Sequence, residues 1–236
     1  MEAKFLLLET SGTVGQVGLG LGSRLLAHQS LDIHHRHNRD LAPAVAALLQ
    51  GAGWRPRDLQ GVIVSSGPGS YTGLRVGIMS AKTLAYATGC ALLAVDTFAC
   101  LARQAPAEMG ALDVIADAQQ GNIYVQTFER IANTGNWRST SALAVEPLLA
   151  WLARRSPSRW ATGPGLLTHA KPIGAADNLV PAECWLPKLE SLLELGVEQG
   201  KRLSAEEVFA LEPLYLRPSS AEQKWDDRGR NASSAP

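Results

Sequence analysis

The sequence predicts an α/β protein built from two similar lobes. Two observations predict it. Apolar and amphipathic runs follow one another in the order β-β-β-α-β-α-β as far as Val95. A second unit then restarts at Asp113. There, as in residues 6–19, an apolar strand leads to an acid, a small residue, a polar turn with glycine and a second strand. The lobes are expected over residues 1–102 and 103–217, the second smaller and carrying a closing C-terminal segment. Residues 218–236 read as a polar, partly disordered tail.

Each element has a local reason. Phe5–Leu8 is a continuous apolar run and reads as a buried strand. Val14–Leu21 alternates around glycines after the polar turn Glu9-Thr10-Ser11-Gly12-Thr13, so the opening is a hairpin. Ser23–Asp32 reads as a third strand. Asp40 is expected to cap a helix with Pro43 in its first turn, an apolar stripe of Leu41, Val45, Leu48 and Leu49, and an end at Gly51. Leu59–Ser65 and Ala91–Val95 read as strands, with a helix over Leu74–Thr88 stopped by Gly89. In the second unit, Asp113–Ala116, Asn122–Phe128 and the segment from Trp160 read as strands. Glu146–Ala153 and Pro187–Arg202 read as helices, and Pro213–Arg217 as a short extended segment.

Composition narrows the function class. The chain has 236 residues, 46% of them apolar, which suits one large domain or two small lobes with a proper core. Lys plus Arg equals Asp plus Glu at 22 each, so the chain carries no electrostatic footprint for nucleic acid. Work on RNA would need a partner to supply the basic surface. Cys90, Cys100 and Cys184 form no CxxC pair and read as reduced thiols. No run is long enough to span a membrane, and the apolar start is too short for a secretory signal. A cytoplasmic protein without membrane attachment is expected.

The most distinctive motif is Gly67-Pro68-Gly69-Ser70-Tyr71-Thr72-Gly73-Leu74-Arg75. It joins an apolar strand to a helix. Such a turn can present N–H groups to an anion or to a partner backbone. No Gly-Lys-Ser/Thr follows, so it is not a Walker A loop, and Arg75 is the only nearby cation.

Other candidates carry two readings each. Glu9 and Asp117 end matching strands. An acid there faces a phosphate-bound metal or a catalytic water in two-lobed phosphotransferases, or else it simply accepts turn N–H bonds. His34, His35 and His37 cluster on one loop, but that spacing aims three nitrogens poorly at one ion, so solvated or capping histidines are expected. Ser11, Ser70 and Thr72 lack a G-x-S-x-G elbow, which argues against a serine hydrolase. Gly77, Ala81 and Ala85 recur every four residues, and the helix from Leu41 is rich in alanine (Ala42, Ala44, Ala46, Ala47). Small residues at that spacing admit a second helix closely, either from a partner or from the same chain.

Taken together, Glu9-Thr10-Ser11, His37 ahead of Leu41-Ala42-Pro43, the glycine run through Val76-Gly77, Asp117-Ala118 with Tyr124, and Glu212-Pro213-Leu214-Tyr215-Leu216-Arg217 resemble the TsaB (YeaZ) family. These are bacterial tRNA threonylcarbamoyladenosine biosynthesis proteins. The likeness is dense over residues 4–130 and returns near 206–217. It implies a two-lobed actin-like ATPase fold, an RNase H-like unit duplicated, within the old glycoprotease group. It implies a non-catalytic scaffold that works with TsaD and TsaE when threonylcarbamoyl is placed on adenosine 37 of ANN-reading tRNAs. The tRNA would be met only through the complex, and a second copy would replace TsaD in a homodimer. No catalytic residue, metal or cofactor of its own is implied, with ATP or ADP entering at the level of the complex.

Under that resemblance Leu41, Val45, Leu48, Arg75, Ile78, Ala81, Lys82 and Ala85 are expected at the partner interface. Glu9, Thr10, Ser11, Gly67, Gly69, Ser70, Thr72, Gly73 and Asp117 are expected in loops within reach of phosphate. The TsaD-like chains carry two metal-binding histidines where Thr97 and Leu101 stand here, so the resemblance is to the partner. Glu9 replaces the family's usual Asp, and Gln119 replaces its usual Arg. A free-standing actin-like ATPase or kinase, or a glycoprotease-type peptidase, is the alternative reading.

Overall fold

A computed structural model describes residues 2–31, 37–132, 134–173, 178–199 and 202–214. The first lobe is arranged on strand β1 (Lys4–Glu9), buried from Leu6 onward. It pairs antiparallel with β2 (Gln16–Leu21) and parallel with β4 (Gly61–Ser65). With β3 (Arg24–Ser30) and β5 (Ala91–Val95) the sheet order is β3-β2-β1-β4-β5. Side chains alternate across it, as the two-residue period of a strand requires. Leu6 and Leu8 pack with helices α1 (His37–Gly51) and α2 (Tyr71–Thr88) on one face. Leu7, Ile63 and Leu93 meet α6 (Leu189–Gln199) on the other. Burial on both faces explains why β1 and β4 read as unbroken apolar runs.

The second lobe repeats the plan. Its central strand β6 (Ala111–Asp117) pairs antiparallel with β7 (Asn122–Arg130) and parallel with β10 (Trp160–Thr162). Strands β8 (Trp137–Ser139) and β9 (Ala144–Pro147) both pair with β7, and Ala161 forms a parallel bridge to Leu179. Helices α4 (Leu148–Arg154) and α5 (Gly165–Ile173) cover one face through Trp151 and Leu166. Helix α3 (Thr97–Arg103) covers the other through Phe98 and Leu101. Trp151 is fully buried because its indole N–H donates to Asp113 Oδ2 at 3.0 Å.

The duplication extends to the turns. Gly67-Pro68-Gly69 follows β4, and Gly163-Pro164-Gly165 follows β10, the equivalent parallel strand. The first glycine of each turn has a left-handed backbone, φ +106° at Gly67 and +109° at Gly163.

The C-terminal part returns to the first lobe. Gly18 and Gly20 of β2 leave the space that Leu189 and Leu193 of α6 fill. Leu203, Val208 and Leu211, around helix α7 (Ala205–Ala210), join the α1–α2 side of the core. Leu203 N donates to Leu92 O at 3.2 Å and Leu214 N to Ser66 O at 3.2 Å, which ties this strap along the first sheet.

Several expectations shift. Helix α2 begins at Tyr71 rather than Leu74, because Ser70 is its cap. Helix α1 begins at His37, so Asp40 lies within the first turn instead of capping it, and Pro43 sits deeper. Glu146 belongs to β9, and the helix expected from Pro187 starts at Leu189. The short elements α3, α5, α7, β8 and β9 escape sequence periodicity. His34 and His35, the side chain of His37, Tyr215–Arg217 and the tail 218–236 lie outside the described residues. No helix among the described residues is long and apolar enough to cross a membrane.

A Cβ on Gly163 would lie 2.3 Å from Ile115 O. Gly163→Ala is expected to destabilise the protein by at least about 3 kcal/mol in denaturant unfolding. Gly121→Ala, also left-handed (φ +75°) but in open space, should cost only about 1 kcal/mol.

Candidate functional site: the glycine turn and the outer face of the first two helices

The glycine turn is seated on the loop that follows β1. Ser70 N donates to Ser11 O at 2.7 Å, and Ser70 Oγ accepts from Gly73 N at 3.2 Å as the cap of α2. A Cβ on Gly69 would lie 2.4 Å from Ser11 O, one on Gly73 2.0 Å from Thr10 O, and one on Gly77 2.1 Å from Thr10 Oγ1. These three glycines, each four residues apart, form a flat track against which Thr10 and Ser11 lie. Behind the track, Gly67 N donates to Thr97 Oγ1 at 3.2 Å and Thr97 N to Gly67 O at 2.9 Å. The amides of Gly67, Ser70 and Gly73 are therefore spent inside the protein. These three donors serve the joint between the turn, the β1 loop and α3.

Glu9 is enclosed at the same joint, 1% exposed. Its Oε1 accepts from Ser11 N at 2.7 Å and from Ser11 Oγ. Its Oε2 is buried without a hydrogen-bond partner. Burial pushes the Glu9 carboxyl above its ordinary range, against the opposing pull of the Ser11 bonds. Asp96, whose Oδ1 caps α3 by accepting from Ala99 N at 2.8 Å, is also pushed up by burial. The Cys100 thiol is raised well above the usual range, first by burial and then by Glu9 and Asp96, so it is inert. Glu9 Oε1 holds the Ser11 turn, and Asp96 Oδ1 caps α3.

Asp117 lies in a different setting. It sits at the exposed end of β6, where Oδ1 accepts from Gln119 N at 2.9 Å and lies 3.5 Å from His169 Nε2. Gln119 and Gln120 both adopt left-handed backbone, φ 63° and 54°. The repeat is real in topology, while one acid is sealed and the other open. Thr97 is 1% exposed and Leu101 is fully buried among Phe98, Ala102 and Leu112. Both positions serve packing. Among the described residues, no group of three or more His, Cys, Asp or Glu is placed to hold a metal ion.

The expected interface residues are largely reassigned. Leu41, Val45, Ile78, Ala81 and Ala85 are buried in the first lobe's own core. The small-residue stripe serves α2's own contact with the sheet and with Thr10, which is the physical reason for the correction. Leu48 is half-buried against that core. Lys82 Nζ donates to Phe209 O at 2.9 Å, and the exposed Arg75 lies 4.4 Å above the Tyr71 ring. The residues facing outward are those on the opposite helical phase. On α1 they are Ala42, Pro43, Ala46 and Ala47; on α2 they are Thr72, Met79, Thr83 and Tyr86. Met79 is 59% and Tyr86 83% exposed. Their seven-residue separation places both on one face of α2, a signal present in the sequence but masked by the more conspicuous small-residue spacing.

The raised Glu9 carboxyl fixes the sign of a pH dependence. The native state holds this proton more tightly than the unfolded chain, whose ordinary value is 4.5. The stabilising contribution is present below that value and is lost as pH rises through the native one. Asp96 acts in the same direction, so the difference between two proteins isolates Glu9. Chemical denaturation across pH 4 to 9 should show Glu9→Gln gaining on the wild type as pH rises, with no such divergence below 4.5.

Comparison with known proteins follows the same lines. The family described as TsaD, tRNA N6-adenosine threonylcarbamoyltransferase, matches residues 29–151, more than half of the chain. The tRNA threonylcarbamoyladenosine biosynthesis protein TsaB of Bacillus subtilis is 28% identical, covering 93% of this chain and 96% of its own. The TsaB protein of Escherichia coli is 29% identical, covering 94% and 97%. The solved structure of YeaZ from Pseudomonas aeruginosa superposes with a TM-score of 0.72 at 26% identity, covering 91% of this chain and all of that one. The duplicated two-lobed architecture is the actin-like ATPase fold. The chain belongs to the TsaD family and, within it, to the TsaB (YeaZ) group.

Proposed function

We propose that this chain is a non-catalytic scaffold subunit in the biosynthesis of threonylcarbamoyladenosine in tRNA. Its likeness to TsaB proteins over nearly its whole length supplies the pathway. The observation that carries the scaffold role is the outer face of α1 and α2. Alanines 42, 46 and 47 make a shallow surface, and Met79 and Tyr86 project from the neighbouring helix into solvent. An apolar face of this kind, on helices already packed to their sheet, suits close helix-to-helix docking. The partner that fits this reading is TsaD, with TsaE joining the assembly and a second copy of the chain taking TsaD's place in isolation.

The remaining features agree with it. The balanced charge, 22 basic against 22 acidic residues, leaves tRNA to be bound through the complex in the cytoplasm. Nucleotide enters at the level of the complex, with no cofactor held by this chain alone. A free-standing ATPase or kinase gains less support, because Glu9 is enclosed and the amides of Gly67, Ser70 and Gly73 are engaged internally. A peptidase gains no support from Thr97 and Leu101, both of which pack the interior.

Met79→Glu combined with Tyr86→Ala should weaken association with TsaD at least tenfold in calorimetric titration, while the unfolding midpoint of the isolated chain stays within a few degrees. Undiminished association would sink the docking face. Depleting the gene should lower threonylcarbamoyladenosine in hydrolysed tRNA, measured by nucleoside mass spectrometry; an unchanged level would overturn the pathway itself.

A further inference from the structure

The two lobes are joined by two chain crossings, and one side chain staples them together. The first crossing leaves α3 at Gln104, its C-terminal cap. The second runs from Cys184 to Leu189, where α6 starts back across the first sheet. Gln104 Nε2 donates to Leu186 O at 2.9 Å and to Cys184 O at 3.3 Å. Its Oε1 accepts from Lys188 N at 2.8 Å, and its own backbone carbonyl accepts from Cys184 Sγ at 3.3 Å. Every polar atom of the Gln104 amide is thus spent on the other crossing.

The same segment is held from both lobes. Thr162 Oγ1, from β10 of the second lobe, donates to Cys184 O at 3.0 Å. Gln16 Nε2, from β2 of the first, donates to Pro187 O at 3.1 Å. The preceding residue of α3 adds a second tie. Arg103 Nε lies 3.2 Å from Glu194 Oε2, and its Nη2 lies 2.8 Å from Glu198 Oε1, both on α6. Arg103 Nη1 also donates to Asn136 Oδ1, next to β8 of the second lobe. Helix α3 itself contributes Phe98 and Leu101 to the second lobe's core and Cys100 to the first. A hinge needs a few residues whose backbone is free to change. Here the backbone of both crossings is bonded.

We propose that Gln104 is a latch that fixes the angle between the lobes, so that they move as one body with or without nucleotide. This inference stands on the crossings alone and does not depend on the proposed function. Spin labels at Gln50→Cys on α1 and Ala153→Cys on α4, both exposed positions, in a Cys90→Ser background, report the angle by double electron–electron resonance. The expected result is one narrow distance distribution, unchanged by millimolar magnesium-ATP and broadened by Gln104→Leu. A wild-type distribution that shifts with magnesium-ATP, or a Gln104→Leu distribution as narrow as wild type, would overturn the latch. Hydrogen exchange supplies a second reading. The Lys188 amide should exchange slowly in the wild type and roughly tenfold faster in Gln104→Leu, with the amides of Leu7 and Ile115 unchanged. Fast exchange of Lys188 in the wild type overturns the proposal even if that variant fails to fold. Gln104→Glu keeps the acceptor for Lys188 N but sets a carboxylate oxygen against the carbonyls of Leu186 and Cys184, so it should loosen the distance distribution while sparing Lys188.

Discussion

The contact on which the first lobe depends is backbone against backbone. Gly69, Gly73 and Gly77 let α2 and the turn before it lie directly on Thr10 and Ser11. No side chain fits between them. This closeness sets the axis of α2, brings Ser70 N onto Ser11 O, and seals Glu9 beneath the loop. It also decides which face of α2 remains outside. A helix held by a glycine track on one side must present the complementary residues to solvent, and Met79 and Tyr86 are the large apolar ones among them. The glycine run thereby sets which face of α2 the proposed docking would use.

The second lobe shows what the same plan becomes when the details differ. Gly163-Pro164-Gly165 repeats the left-handed entry, with Gly163 and Gly165 set against Ile115 as the first turn's glycines are set against Thr10 and Ser11. The acid at the end of β6, however, stays at the surface, and the turn after it is strained into left-handed conformations at two glutamines. One acid has become a buried fastener and the other an open turn residue. Duplicated topology does not give the two acids equivalent surroundings.

Much of the fold was legible in the chain. Continuous apolar runs marked β1, β4 and β5, because strands buried on both faces need no polar alternation. The acid-turn-strand repeat marked the duplication. Short elements such as β8 and α7 were not legible, since three or six residues carry too little periodicity. Five of the expected interface residues, Leu41, Val45, Ile78, Ala81 and Ala85, lie in the core for a specific reason. Small residues every four positions signal a close approach but not what approaches, and here the chain's own loop does so at Gly77 and its sheet at Ala81 and Ala85. Leu41 and Val45 were equally ambiguous until the sheet beneath them was placed. The latch residues Arg103 and Gln104 gave no local signal at all, because their partners lie 33 to 95 positions away in sequence.

These constraints bear on one another. A docking platform works by holding its face in a fixed place relative to the rest of the molecule, since motion within the platform must be frozen out on association at an entropic cost. The glycine track fixes α2 on the first sheet, the C-terminal strap holds its flank through Lys82 and Phe209, and the bonded crossings fix the first sheet against the second. Each of these engages polar groups inside the protein. The engaged turn amides and the bonded lobe crossings are therefore one economy. These polar groups are committed internally, while the outer face of α2 carries the exposed Met79 and Tyr86.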